Sequence, residues 1–307
     1  PPAATARIAA LARAAQAGGP RLALLAAPAP RSGSNFVQAL IEAGGGVASS
    51  PLGIGEAGFL AAGGAMDAYR RALAGRHPGA ASLQAEAWLG FALSGLARAA
   101  AAEHAAAVGA PAQVALLKDP RPLGLGRAAA AAPDMRLVLV IRDGRRTVDS
   151  ALRTWRRPGP RGWLQRGPAE LAAEWAKGVE RLLDLAEARP EALAIRYEAA
   201  AADPRAASDR LRAHLSLAPA PAGAAERAAL AVRGSSTASR IGGAVDWTPR
   251  ALKTGFDPAA RSLDWPLRWE RAFVREAART EARLDAALPF ALRRPSADGA
   301  PADRTAA

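Results

Sequence analysis

Short runs of unbroken apolar residues alternate along this chain with longer stretches whose apolar positions recur at helical spacing. Leu22–Ala27, Gln113–Leu117, Arg136–Ile141 and Ala192–Arg196 are the runs, and they read as strands buried on both faces. Between and around them, Ser34–Ala43, Arg145–Arg156, Glu170–Ala188 and Pro204–His214 read as amphipathic helices, with Ser32 or Ser34 as the N-cap of the first. A further helix is expected over Ala4–Ala17 and a last one over Leu267–Leu288. Phe59–Ala74 and Ser82–Val108, separated by Gly75–Gly79, read as a helical insertion over about 58–110. The Gly/Ser/Pro-rich stretch Gly44–Gly58 is expected to be irregular, as is the loop over about 233–266. Residues 293–307 read as a flexible tail. Strands alternating with helices predict an α/β fold: a central parallel sheet covered by helices on both faces, forming one domain over residues 1–292.

In such sheets ligands bind beyond the carboxyl ends of the strands. Four polar residues stand at those ends: Arg31, Lys118, Arg142 and Tyr197. The turn Ala29–Asn35, APRSGSN, opens a helix with small residues, so backbone N–H groups, two serine hydroxyls and a guanidinium can converge on an anion. An ordinary strand–helix turn with an arginine in it is the competing reading. Arg142 and Ser150 flank a second such turn, eight residues apart, and a helix beginning near Gly144 brings both toward one phosphate. The turn at Pro30 lacks the G-x-x-x-x-G-K-[ST] of a kinase phosphate loop, which weakens an ATPase reading.

Composition narrows the chemistry. The chain has 307 residues, a formal charge of +13 and no cysteine, which excludes thiolate metal sites and thiol nucleophiles. Its three histidines, His77, His104 and His214, form no zinc-binding pair. Among 41 basic residues only Lys118, Lys177 and Lys253 are lysine. The arginines are scattered and aromatics make up 5%, so RNA or single-stranded DNA gains little support as a partner. No apolar run approaches the length of a membrane helix, and a cytoplasmic protein without integral membrane association is expected.

Together these segments resemble the sulfotransferases that use 3′-phosphoadenosine 5′-phosphosulfate (PAPS). Arg31-Ser32-Gly33-Ser34-Asn35-Phe36 is similar to their 5′-phosphosulfate loop, and Ile141–Ser150 to their 3′-phosphate motif, with Arg142 and Ser150 in the binding positions. Arg196-Tyr197-Glu198 resembles the segment that brings a tyrosine to the adenine. Lys118-Asp119-Pro120 and Arg142-Asp143-Gly144 look most like the tyrosylprotein branch and its bacterial relatives. The resemblance implies a P-loop-like three-layer fold and sulfuryl transfer to a hydroxyl acceptor, leaving adenosine 3′,5′-bisphosphate. The expected acceptor is a carbohydrate, peptidyl tyrosine, lipid or small metabolite. No metal is expected: Arg31 and the N–H groups of Ser32–Asn35 would hold the phosphosulfate, and Lys118 would meet the transferring oxygens. Cytosolic members carry a histidine base where this chain has Pro120, so the resemblance directs the role of base to Glu56, as in the tyrosylprotein branch. Ser236 and Arg240 are assigned to the sulfate and the 3′-phosphate, and Phe36 to the adenine, on the same resemblance. A small-molecule kinase using ATP and Mg, and a degenerate nucleotide-binding module, are the alternatives.

Overall fold

The computed structural model describes residues 18–49, 71–72, 81–121, 124–155, 166–232, 239–241, 244–246 and 265–288; the side chains of 81–87, 154–155, 239–241 and 244–246 are not among them. The expected helix over Ala4–Ala17, the segment Phe59–Ala74 apart from residues 71–72, and the tail lie outside the described residues.

The apolar runs become strands β1 (Arg21–Ala26), β3 (Val114–Asp119), β4 (Arg136–Ile141) and β5 (Leu193–Arg196). They form one parallel sheet in the order β2-β3-β1-β4-β5. Strand β2 (Val47–Ser49) corrects the expectation that Gly44–Gly58 is irregular. Its three residues gain their form by pairing with Val114–Leu116 at the sheet edge, a tertiary cause that a short segment after three glycines does not announce.

The helices are α1 (Ser34–Glu42), α2 (Ala81–Val108), α3 (Leu125–Ala131), α4 (Gly144–Trp155), α5 (Pro168–Ala188), α6 (Tyr197–Ala202), α7 (Pro204–His214), α8 (Ala224–Leu230) and α9 (Leu267–Ala287). The sequence reading missed α3, α6 and α8, all seven residues or fewer and too short for helical periodicity to register. The expectation that the loop over about 233–266 is irregular is likewise corrected: Ser239–Ile241 and Ala244–Asp246 pair as an antiparallel hairpin, β6 and β7.

Alternation along β1 sorts the core. Ala23 and Leu25 face a cluster with Phe36, Val37 and Leu40 of α1, Ala200 of α6, Leu211 of α7 and Ala225 of α8. Leu22 and Leu24 face another with Leu93 of α2, Ala128 of α3, Val148 of α4, Trp175 of α5 and Phe273 of α9. This is the expected three-layer arrangement. The helix after β1 lies on one face and the helix after β4 on the other, so the chain leaves these adjacent strands in opposite directions. A crevice opens at the carboxyl ends of such a strand pair.

Candidate active site

The turn after β1 is held in a strained form. Arg31 has φ +78°, a left-handed conformation that non-glycine residues rarely adopt. Gly33 follows with φ +88° and is itself the N-cap of α1, without a side-chain cap. This corrects the expectation that Ser32 or Ser34 caps the helix: Ser34 is its first residue. No side chain caps the first turn of α1, and the Phe36 and Val37 N–H groups return to the Gly33 carbonyl at 3.0 and 3.1 Å. Ser32 is fully buried, and its hydroxyl has no hydrogen-bond partner among the described residues. A glycine is required at position 33 on two counts, because a Cβ there would also lie 2.1 Å from the Tyr197 ring.

The turn after β4 is built differently. The Asp143 carboxylate accepts from the Arg146 N–H at 3.0 Å, and the Asp143 carbonyl accepts from the Thr147 hydroxyl at 2.9 Å. Trp175 Nε1 donates to the Arg142 carbonyl at 3.2 Å. On α9, Glu270 receives Arg145 through both carboxylate oxygens, at 2.8 to 3.1 Å, and Glu281 receives it at 2.6 Å. Burial disfavours the Arg145 charge, but these hydrogen bonds and charges outweigh that effect and raise its pKa.

The two turns meet. Arg31 Nε donates to Ser150 Oγ at 3.1 Å, and Arg142 donates to the Arg31 carbonyl at 3.2 Å. The Arg142 guanidinium lies 4.7 Å from the centre of the Tyr197 ring, which in turn meets Phe36 edge-on at 5.4 Å. The third strand joins in through Lys118, buried at the end of β3, whose Nζ donates to Asn35 Oδ1 on α1. Residues from four strand ends thus converge: Arg31 to Phe36, Lys118, Arg142 with Ser150, and Tyr197. Burial pushes the Tyr197 phenol up to about 12.

Glu56 and Ser236 lie outside the described residues. Arg240 sits on β6 opposite Val245, with only its backbone described. Among the described residues no group of acidic or histidine side chains is arranged to hold a metal ion. No described helix is long and apolar enough to cross a membrane. Sequence reasoning passed over Glu198 as a functional residue. It is buried beside Arg142, and one of its oxygens accepts from the Asp143 N–H at 2.8 Å. Its adjacency to Tyr197 at a strand end was the available signal.

A search of curated protein sequences returns no match. Among solved structures, the chain is similar to the sulfotransferase domain from the curacin biosynthetic pathway, with 18% identity, a TM-score of 0.48 and coverage of 89% of this chain and 99% of that one. It is also similar to the sulfotransferase from Alicyclobacillus acidocaldarius, with 16% identity, a TM-score of 0.47 and coverage of 89% and 97%. The model of the sulfotransferase family matches residues 27–221, from the end of β1 through α7, and so takes in both turns, Lys118 and Tyr197. That match spans more than half of the sequence, and the chain belongs to the sulfotransferase family.

Proposed function

We propose that this sulfotransferase moves the sulfuryl group of PAPS to a hydroxyl acceptor, without a metal. The observation that carries the reading is the hydrogen bond from Arg31 to Ser150, which joins the two turns within the span of one ligand phosphorylated at both ends of its ribose. The unpartnered Ser32 hydroxyl and the unpartnered, buried Nε of Arg142, both among the described residues, are polar atoms suited to such a ligand.

In this reading Arg31 and the N–H groups of Ser32, Gly33, Ser34 and Asn35 hold the 5′-phosphosulfate, while Arg142 and Ser150 hold the 3′-phosphate. Tyr197 and Phe36 border the adenine, and Ser236 and Arg240 approach from the segment after α8. The acceptor oxygen bonds to sulfur as the bond from sulfur to the bridging oxygen breaks, and the electron pair leaves with the 5′-phosphate. Lys118, poised on Asn35, meets the bridging oxygen as its charge grows. Glu56 takes the acceptor's proton, completing transfer and leaving adenosine 3′,5′-bisphosphate. Peptidyl tyrosine is the acceptor favoured by Lys118-Asp119-Pro120 and Arg142-Asp143-Gly144; saccharides, lipids and small metabolites fit the same chemistry. The turn at Pro30 has no kinase lysine, which places ATP second as a donor.

The test is thermal unfolding with adenosine 3′,5′-bisphosphate. At roughly 100 times its dissociation constant the ligand should raise Tm by about 5 °C or more. Arg142→Ala should abolish most of that shift. Glu56→Gln should keep the shift yet lose about 100-fold or more in transfer from labelled PAPS. Absence of stabilisation at millimolar ligand, or stabilisation only by ATP with Mg, would overturn the proposal.

A further inference from the structure

Glu198 is a buried titratable group to which the proposed reaction gives no task. Strands β4 and β5 run parallel with Ile141 paired to Arg196, so the residues just beyond them leave the sheet side by side. Tyr197 and Glu198 form the first turn of α6 there. The Tyr197 ring lies behind the Arg142 guanidinium, while Glu198 Oε1 accepts the Asp143 N–H at 2.8 Å. The other Glu198 oxygen is buried with no hydrogen-bond partner among the described residues.

This bond falls at a point the rest of the turn does not secure. The Asp143 side chain and carbonyl are both directed into α4, to Arg146 and Thr147. Trp175 holds the Arg142 carbonyl, which belongs to the same peptide unit as the Asp143 N–H. Glu198 and Trp175 therefore grip that peptide from its two polar ends, and a planar peptide held at both ends cannot rotate. The orientation of this peptide sets the direction in which Arg142 leaves β4. A buried carboxyl group with one oxygen lacking a hydrogen-bond partner among the described residues is costly to keep.

We propose that Glu198 is a positioning residue for the 3′-phosphate, acting through the Arg142–Asp143 peptide to aim the Arg142 guanidinium. The inference rests on the reading above, in which Arg142 receives that phosphate. Glu198 touches no ligand itself. Its removal should weaken recognition of the 3′-phosphate selectively, leaving the 5′ end of the nucleotide, held by the turn after β1, as it was.

Calorimetric titration with adenosine 3′,5′-bisphosphate and with adenosine 5′-monophosphate separates these contributions. Wild-type protein should bind the bisphosphate more tightly. Glu198→Ala should weaken bisphosphate binding about tenfold, the effect of misplacing one charged contact, with affinity for the monophosphate unchanged. Glu198→Gln, which retains the acceptor oxygen, should restore the preference. Equal losses for both nucleotides would show a general collapse of the site and overturn the inference, as would no loss for either. Should the alanine variant not fold, Glu198→Asp, whose shorter side chain withdraws the acceptor, must show the same selective loss or the inference fails. A wild-type protein that does not distinguish the two nucleotides would instead remove the 3′-phosphate reading, and this inference with it.

Discussion

The turns after β1 and β4 stand side by side at the carboxyl end of the sheet and solve opposite problems. The first places no side chain over its helix start: α1 begins on a left-handed glycine with no side-chain cap, preceded by a strained Arg31 and a buried Ser32 hydroxyl with no hydrogen-bond partner among the described residues. The second has its backbone held, by Asp143 and Thr147 from within and by Glu198 of α6 and Trp175 of α5 from outside, and turns a side chain, Arg142, toward the shared space. A turn that binds through backbone must be small and open, whereas one that binds through a long side chain must be rigid beneath it. The supports differ accordingly. Backbone proximity braces the first, with Gly178 of α5 against Pro28 and Gly33 against Tyr197. The second is clamped by charged side chains from α9.

The largest effect is expected from placing a side chain where the first turn has no room. Gly33→Ala combines a positive φ with a Cβ 2.1 Å from Tyr197, whose ring is confined by Phe36 and Arg142. The strain and the overpacking together should cost about 3 kcal/mol of unfolding free energy. Bisphosphate stabilisation should disappear with it. Urea unfolding measures the first quantity and ligand-dependent Tm the second. A variant within about 0.5 kcal/mol of wild type would mean that the Tyr197 ring moves freely, contrary to a tightly packed first turn.

The clamp on the second turn should matter somewhat less for stability. Arg145→Gln removes the cation that Glu270 and the buried Glu281 share and takes its guanidinium from the face of Phe273, 4.6 Å away. Because Glu270 is about a third exposed, only the Glu281 part of this network resists screening, and the expected loss is about 2 kcal/mol. Double-mutant analysis with Glu281→Gln checks the assignment. Strictly additive costs would show that the two residues do not act together and that α9 does not fasten this turn electrostatically.

The same contrast explains what the sequence made legible. Apolar runs followed by Arg31, Lys118 and Arg142 declare both the parallel sheet and the end of it where these polar residues gather, because strand burial and strand-end polarity are local patterns. The eight-residue interval from Arg142 to Ser150 likewise needs only a helix between them, and α4 supplies it. Val47–Ser49 was not legible because its strand character comes from the neighbouring β3 rather than from its own residues. Gly33 displaced the serines as cap because the choice depends on Tyr197, 164 positions away, filling the space beneath it. The grip of Lys118 on Asn35 and of Glu198 on Asp143 joins different strand–helix units, and spacing along the chain carries no record of such contacts.

The finest distinction between the turns is in their response to pH, since Glu198 gives the second a buried acid. Burial is the main cause that raises the Glu198 pKa above its ordinary 4.5; the Asp143 charge adds to it, while the Asp143 N–H bond and the Arg142 charge oppose it. Below pH 4.5 folded and unfolded chains both hold the proton, and the contribution to stability is fully present. As pH rises from 4.5 through the higher folded-state value, the unfolded chain releases the proton before the folded chain does, and stability is lost. The slope for one proton is at most about 1.4 kcal/mol per pH unit. Glu198→Gln cannot titrate, so its stability relative to wild type should grow with pH across that window and then level off. Gly33→Ala, a defect of shape in the first turn, should instead keep a constant deficit. Urea unfolding of the three proteins from pH 4 to pH 8 makes the comparison. A constant difference between Glu198→Gln and wild type would mean that the Glu198 pKa does not change on folding, with Arg142 and the Asp143 N–H cancelling the effect of burial.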